Sequence, residues 1–258
     1  MNATRILQLS FILITAATAM LAQNRVTELN ENTHKAVAAT ERGVALVRAA
    51  RHKEAIEEFE LAIRLNPGFA VAYNNLGVTY NSLGRYEDAI KVLTTALQLS
   101  PDYADAYYNF GVACQSLGRS SQAIKAYENA IRFKPRLVHA YVGLGSVYEQ
   151  NGQYKRAIAL YREAITIDPN VAEAYNNIGT AEARSGHYEE ATQNLERAIN
   201  LKPDFAVAHY NLGVVSLRAK RREIALQHYT VLTYLDSQLA GRLYNGIYQA
   251  KVLVLGAK

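Results

Sequence analysis

Six histidines, one cysteine and 23 acidic residues are the side chains of this sequence that could carry acid–base, nucleophilic or metal chemistry. A metal or proton-relay pair on one helix face needs two histidines at i and i+4. His34, His52, His139, His187, His209 and His228 never fall at that spacing. The carboxylate pairs Glu57-Glu58 and Glu189-Glu190 lie on the outward side of helices, where a solvated face is the plain reading. Cys114 is alone, so neither an intrachain disulfide nor a cysteine zinc pair can form, and its position suits a buried structural thiol. There is no phosphate-cradling glycine loop, no G-x-S-x-G and no H-E-x-x-H. The expectation is a protein that is not an enzyme and takes no cofactor or metal. A basic cluster, Arg218, Lys220, Arg221 and Arg222, reads as a solvated turn, with an anionic ligand as the alternative.

The residue that does recur is asparagine. Asn75, Asn109, Asn177 and Asn211 share one phase of a 34-residue period, and Glu41 and Gly143 fill the other two places. An asparagine amide both donates and accepts, so a row of them can bond to the backbone of an extended peptide without reading its side chains. Neighbouring columns add Asn74, Tyr108, Asn176 and Tyr210 one residue earlier, Asp105, His139 and Glu173 near the helix start, Glu149 further on, and Arg184 and Arg218 near the end. The same asparagines could instead be polar residues bonded to the adjacent repeat, and both readings stand at this point.

The period that places this row is carried by other residues. All five prolines, Pro67, Pro101, Pro135, Pro169 and Pro203, are 34 apart, and so are Gly43, Gly77, Gly111, Gly145, Gly179 and Gly213. Gly84, Gly118, Gly152 and Gly186 form a further column. Residues 36–239 divide into six units, 36–69, 70–103, 104–137, 138–171, 172–205 and 206–239. Within each unit, positions 4, 7, 8 and 11 share one face of a first helix, and positions 20, 24 and 27 one face of a second. The glycine at position 8 is expected opposite the alanine at position 20. The glycine at position 15 should end the first helix in a left-handed residue, and proline at 32 should stop the second. Asn66, Ser100 and Asp168 precede prolines as possible caps. Positions 2, 6, 9 and 13 are left as a stripe beside the packed face.

In the second unit the pattern reads Tyr73, Leu76, Gly77, Tyr80, Ala89, Leu93, Ala96 and Pro101, and it resembles the tetratricopeptide repeat. The resemblance covers about four fifths of the chain. It implies an all-α, right-handed superhelical solenoid of six helix-turn-helix repeats, with first helices lining a concave groove that holds a protein or peptide. The groove residues are then Asn74, Asn75, Asp105, Tyr108, Asn109, His139, Glu173, Asn176, Asn177, Arg184, Tyr210, Asn211 and Arg218. The position 6 column also looks like the asparagine ladder in the repeat region of the glycosyltransferase that adds N-acetylglucosamine to intracellular proteins. No catalytic domain accompanies it here. Clamps of this family that hold a chaperone's C-terminal carboxylate need lysine or arginine at positions 2 and 6, and none is present.

Outside the repeats, residues 1–22 carry Arg5, an apolar run and small residues at Ala17-Thr18-Ala19, the layout of a cleaved secretory signal. An uncleaved membrane anchor is the rival, weakened by Gln8, Ser10 and Thr15, and an organelle-targeting peptide is a lesser alternative. The expected location is periplasmic or secreted. Residues 23–35 read as a linker or the fraying start of the first helix, and residues 240–258 as a capping helix with an apolar tail, with Leu239, Leu243, Ile247 and Ala250 on its inner side. A net charge of +5, spread along the chain, argues against nucleic acid as the partner. The sequence thus predicts a scaffold binding an extended peptide in its groove. The alternative is an assembly factor of an envelope export, pilus or polysaccharide system acting through its convex face or tail.

Overall fold

The computed structural model describes the backbone of residues 3–249 and the side chains of Gln23 and of Thr27 to Gln249. The side chains of residues 1–22, on which the signal or anchor expectation rests, lie outside it, as do residues 250–258 with Ala250 and the apolar tail. Thirteen helices and no strand occur among the described residues. They are α1 (Ala3–Arg48), α2 (His52–Leu65), α3 (Ala70–Ser82), α4 (Tyr86–Leu99), α5 (Ala104–Ser116), α6 (Ser120–Phe133), α7 (Val138–Gln150), α8 (Tyr154–Ile167), α9 (Ala172–Arg184), α10 (Tyr188–Leu201), α11 (Ala206–Arg218), α12 (Arg222–Leu235) and α13 (Ser237–Gln249). First helices begin at Ala70, Ala104, Val138, Ala172 and Ala206, in the phase the sequence predicts. Among the described residues no helix is long and apolar enough to cross a membrane. The chain forms two compact units, Met1–Ala113 and Cys114–Lys258.

Local chemistry explains the regularity. In all six turns the residue after the left-handed position donates its N–H to a carbonyl five residues back, as Arg85 does to Tyr80 and Gln153 to Tyr148. The left-handed residue is glycine at 84, 118, 152 and 186, but Ala50 and Lys220 adopt positive φ in the first and sixth turns. Asn66 and Asp168 do not cap the following helices as expected. Each accepts the N–H two residues on, in an Asx turn, because three residues separate it from the next helix. Asp236, with no proline after it, accepts the N–H groups of Gln238 and Leu239 and caps α13 directly. For that reason the last helix starts at Ser237 rather than at residue 240.

Residues 23–35 are helical and continue into the first repeat instead of forming a linker. The stretch holds no glycine or proline, Thr27 and Thr33 bond to carbonyls four residues back, and Glu31 pairs with Lys35 at 2.7 Å.

The core of Met1–Ala113 gathers Phe59, Leu76, Tyr80 and Leu93 around Ala55, Ala89 and Ala96. In Cys114–Lys258, Tyr161 and Ile178 pack with Ala157, Ala164 and Ala174. Further on, Leu195, Tyr210, Leu212, Leu232 and Leu243 form a larger cluster. The glycine at position 8 is opposed chiefly by the position 24 side chain, not by the position 20 alanine. A Cβ at Gly77 would meet Leu93 at 2.5 Å, and one at Gly145 would meet Tyr161 at 2.6 Å. Alanines at position 3, Ala72, Ala106, Ala140, Ala174 and Ala208, are all fully buried, although the sequence pattern had not marked that column.

Candidate functional site

The asparagine row is built by contact between successive first helices. Asn109, the sixth residue of α5, donates through Nδ2 to Oδ1 of Asn74, the fifth residue of α3, at 2.9 Å. The same pairing recurs further along, where Asn211 of α11 donates to Asn176 of α9 at 2.9 Å. Asn176 passes the bond on to Oδ1 of Asn177 at 3.0 Å. Of the two sequence readings, bonding to the adjacent repeat therefore describes Asn109 and Asn211. Asn211 and Tyr210 are 0% exposed and Asn74 and Asn176 only 6%, so these four predicted groove residues are enclosed and act as packing. The cause is geometric: close approach of first helices places position 6 of one against position 5 of the one before.

A second set of bonds joins successive repeats through position 12, which the sequence offered only at Glu149. Asn81 donates to the Asn109 carbonyl at 2.9 Å. Gln115 donates to Ser146 Oγ at 3.0 Å and accepts the Tyr127 hydroxyl at 2.9 Å. Glu149 repeats this arrangement with a carboxylate. It accepts the Tyr161 hydroxyl at 3.0 Å and the Thr180 hydroxyl at 3.3 Å, and Arg184 lies 3.5 Å away. Burial pushes the Glu149 carboxyl above its ordinary range, against the opposing pull of Arg184 and the two hydroxyls. Position 24 tyrosines thus reach through the repeat to fix the position 12 side chain.

The remaining predicted residues lie toward solvent. Glu173, Asn177, Thr180 and Arg184 fall at i, i+4, i+7 and i+11 on α9 and share one face. Glu173 and Arg184 are exposed, Asn177 half-buried, and Thr180 forms the floor. Glu173 pairs with Lys202 at 3.8 Å. On α7 the equivalent row begins with exposed His139 and continues through Gly143 and Ser146. Gly143 stands in the asparagine column because Tyr127 fills the space: a Cβ there would lie 2.7 Å from Tyr127 Cζ. Arg218 ends the row on α11 in an exposed position. In Met1–Ala113, half-buried Asn75, Asp105, Tyr108 and Asn109 occupy the corresponding faces of α3 and α5, and burial raises the Tyr108 phenol.

The fold also joins two histidines that spacing along one helix could not reveal. His209 of α11 and His228 of α12 approach with Nδ1 atoms 2.9 Å apart. His209 Nε2 lies 2.9 Å from the Pro203 carbonyl, which can only accept, so this nitrogen carries the proton and Nδ1 faces His228 as an acceptor. Tyr141 makes the matching bond to Pro135 at 3.1 Å, so His209 replaces a tyrosine and keeps its hydrogen bond. Burial, and secondarily His209, lower the His228 pKa to about 4. Among the described residues no group of three or more metal-ligating side chains assembles.

Stacked helix pairs, braced from repeat to repeat by polar side chains, define an α-helical repeat scaffold of the kind that binds proteins or peptides. Sequence models of the tetratricopeptide repeat match residues 36–69, 58–91, 79–118, 113–152, 137–204 and 176–240. The chain belongs to the tetratricopeptide repeat family. Its structure is similar to a crystal structure of MamA protein, at 28% identity over 66% of this chain and 92% of that one, with a TM-score of 0.57. The pilF protein of Pseudomonas aeruginosa shares the fold at 16% identity, over 86% of this chain and all of that one (100%), with a TM-score of 0.74. YrrB, a TPR protein with an unusual peptide-binding site, shares it at 22% identity over 76% and 97%, with a TM-score of 0.55. No curated protein sequence matches the chain.

Proposed function

We propose that this chain is a non-enzymatic scaffold that binds an extended polypeptide along the outward stripes of its first helices. The observation that carries this reading is the row Glu173, Asn177, Thr180 and Arg184 on α9, polar and set on one face beside a fully packed interior. Asn177 accepts from Asn176 through one lone pair of Oδ1, and an asparagine amide has capacity for a second acceptor bond and for donation to a peptide carbonyl. Glu173 at one end and Arg184 at the other give the row opposite charges, which would orient a peptide that is basic at one end and acidic at the other. YrrB supports the reading as a protein of this fold that has a peptide site. Export to the periplasm or outside the cell is part of the proposal and rests on the pattern of residues 1–22.

Affinity capture with the chain produced in a secreting host, its N-terminus read by mass spectrometry, tests both parts. A partner captured through the stripe should bind about three- to tenfold more weakly to Asn177→Ala and to Glu173→Ala, the worth of one hydrogen bond or ion pair. Melting temperatures should change little. Undiminished capture by both variants would overturn the stripe, and an intact Met1 on the exported chain would overturn cleavage.

A further inference from the structure

Within Met1–Ala113 the outward stripes of α1 and α3 are built from valine around a polar centre. On each helix the row reads valine, polar, valine at i, i+4 and i+7: Val37, Glu41 and Val44 on α1, Val71, Asn75 and Val78 on α3. Ala36 and Ala39 of α1 pack with Ala72 of α3, so the two rows stand side by side. The repeat does not demand these valines, since the same two columns hold His139 and Ser146 on α7 and Glu173 and Thr180 on α9. On α11 they return to valine for a different purpose: Val214 belongs to the core cluster and Val207 packs against it. Val37, Val71 and Val78 are instead 37%, 39% and 37% exposed. Helix α1 is continuous from Ala3 to Arg48, so its N-terminal part runs on along its own axis and leaves this face open.

The polar centre is equally uncommitted. Asn109 and Asn211 spend their amides on the preceding first helix, whereas Asn75, half-buried between Val71 and Val78, has no side-chain partner among the described residues. Glu41 is exposed and likewise unpaired. Its surroundings leave the local charge negative. Arg42 is committed to Glu58 at 2.8 Å and Lys35 to Glu31, α3 carries no charged residue, and Arg48 stands two turns further along α1.

We propose that this face binds an extended segment of another protein that carries aliphatic side chains and a lysine or arginine. The inference rests on reading the first-helix stripes as a peptide surface, and it gives that surface its chemistry in this unit. The extended form follows from Asn75. Its amide offers both acceptor and donors, and only a chain outside a helix has free N–H and C=O groups in mid-segment to meet them. The valines on either side then receive aliphatic side chains and shield those bonds from water. Glu41 selects the cation. Val71 and Val78 stand about 10 Å apart along α3, the span of about three extended residues.

A capped, fluorescently labelled nonapeptide alternating valine and lysine, titrated with the full chain, serves as probe. Anisotropy should show saturable binding, about tenfold weaker when serine replaces the valines or glutamate the lysines. Asn75→Ala should weaken it about three- to tenfold, and Val71→Ser/Val78→Ser about tenfold. Glu41→Gln should erase the preference for lysine over glutamate. Val231→Ser, at an equally exposed valine of α12, should change nothing. By circular dichroism the bound peptide should stay non-helical. Absence of saturable binding, undiminished binding by the Asn75 and valine variants, an equal loss in Val231→Ser, or a helical bound peptide each overturns the proposal. The stripe on α9 fails by a different result, undiminished partner capture by Asn177→Ala and Glu173→Ala.

Discussion

The Tyr161 hydroxyl donates to Glu149 Oε2 at 3.0 Å, and Tyr127 stands to Gln115 as Tyr161 stands to Glu149. One repeat makes this brace with a neutral amide and the next with a buried carboxyl. Glu149→Gln should therefore keep the Tyr161 bond while removing the cost of burying a charge, and raise stability at neutral pH by about 1 kcal/mol. The pH dependence is the sharper check. A carboxyl whose folded pKa is raised binds its proton more tightly when folded, so its contribution falls as pH climbs from the unfolded value through the folded one. Melting temperatures across that range should decline less in the variant.

Gly143→Asn would make the asparagine column continuous from Asn75 to Asn211 and should still destabilise the fold. Its side chain would enter the space of the Tyr127 ring, at a cost of about 1–3 kcal/mol. Leucine occupies the Tyr127 position in other repeats, as Leu93 and Leu195, so Tyr127→Leu should relieve the clash. Denaturant melts of both single variants and the double one should show a coupling of at least about 0.5 kcal/mol.

Ala50 and Lys220 hold positive φ where four other turns have glycine. Lys220→Gly should stabilise the fold by about 0.5–1 kcal/mol, the left-handed penalty less the entropy of a glycine in the unfolded chain. Thermal denaturation would register it, and Ala50→Gly should act in the same direction.

His228 titrates near 4 in the folded chain against 6.5 in the unfolded one. The unfolded chain takes up the proton first, so stability should be full above about pH 6.5 and fall as pH drops toward about 4, by at most about 3 kcal/mol. The double variant His209→Tyr/His228→Leu installs the residues of the fourth repeat, Tyr141 and Leu160, and should flatten that limb in a pH series of melts.

Most of the fold was legible because glycine and proline act locally. Gly84, Gly118, Gly152 and Gly186 ended helices in the left-handed turns their spacing implied. What lay between repeats was harder to read. The face of positions 4, 7, 8 and 11 was assigned from pairing inside one repeat, but a first helix also packs against its neighbours. The buried position 3 alanines and the enclosure of Tyr210 and Asn211 follow from that second contact. An unbroken alanine column was the available signal. His209 and His228 stayed hidden because they meet across a helical hairpin, 19 residues apart, where same-face spacing says nothing.

Asp236 has a consequence for anyone who would lengthen this protein. By starting α13 at Ser237 it advances the helix by three residues and resets the 34-residue count. A graft of further repeats spliced in the old phase, at residue 240, would begin inside an existing turn of helix and present its seams a face away from their mates. Spliced to the phase that Ser237 sets, the added repeats would keep their seams in register with α13.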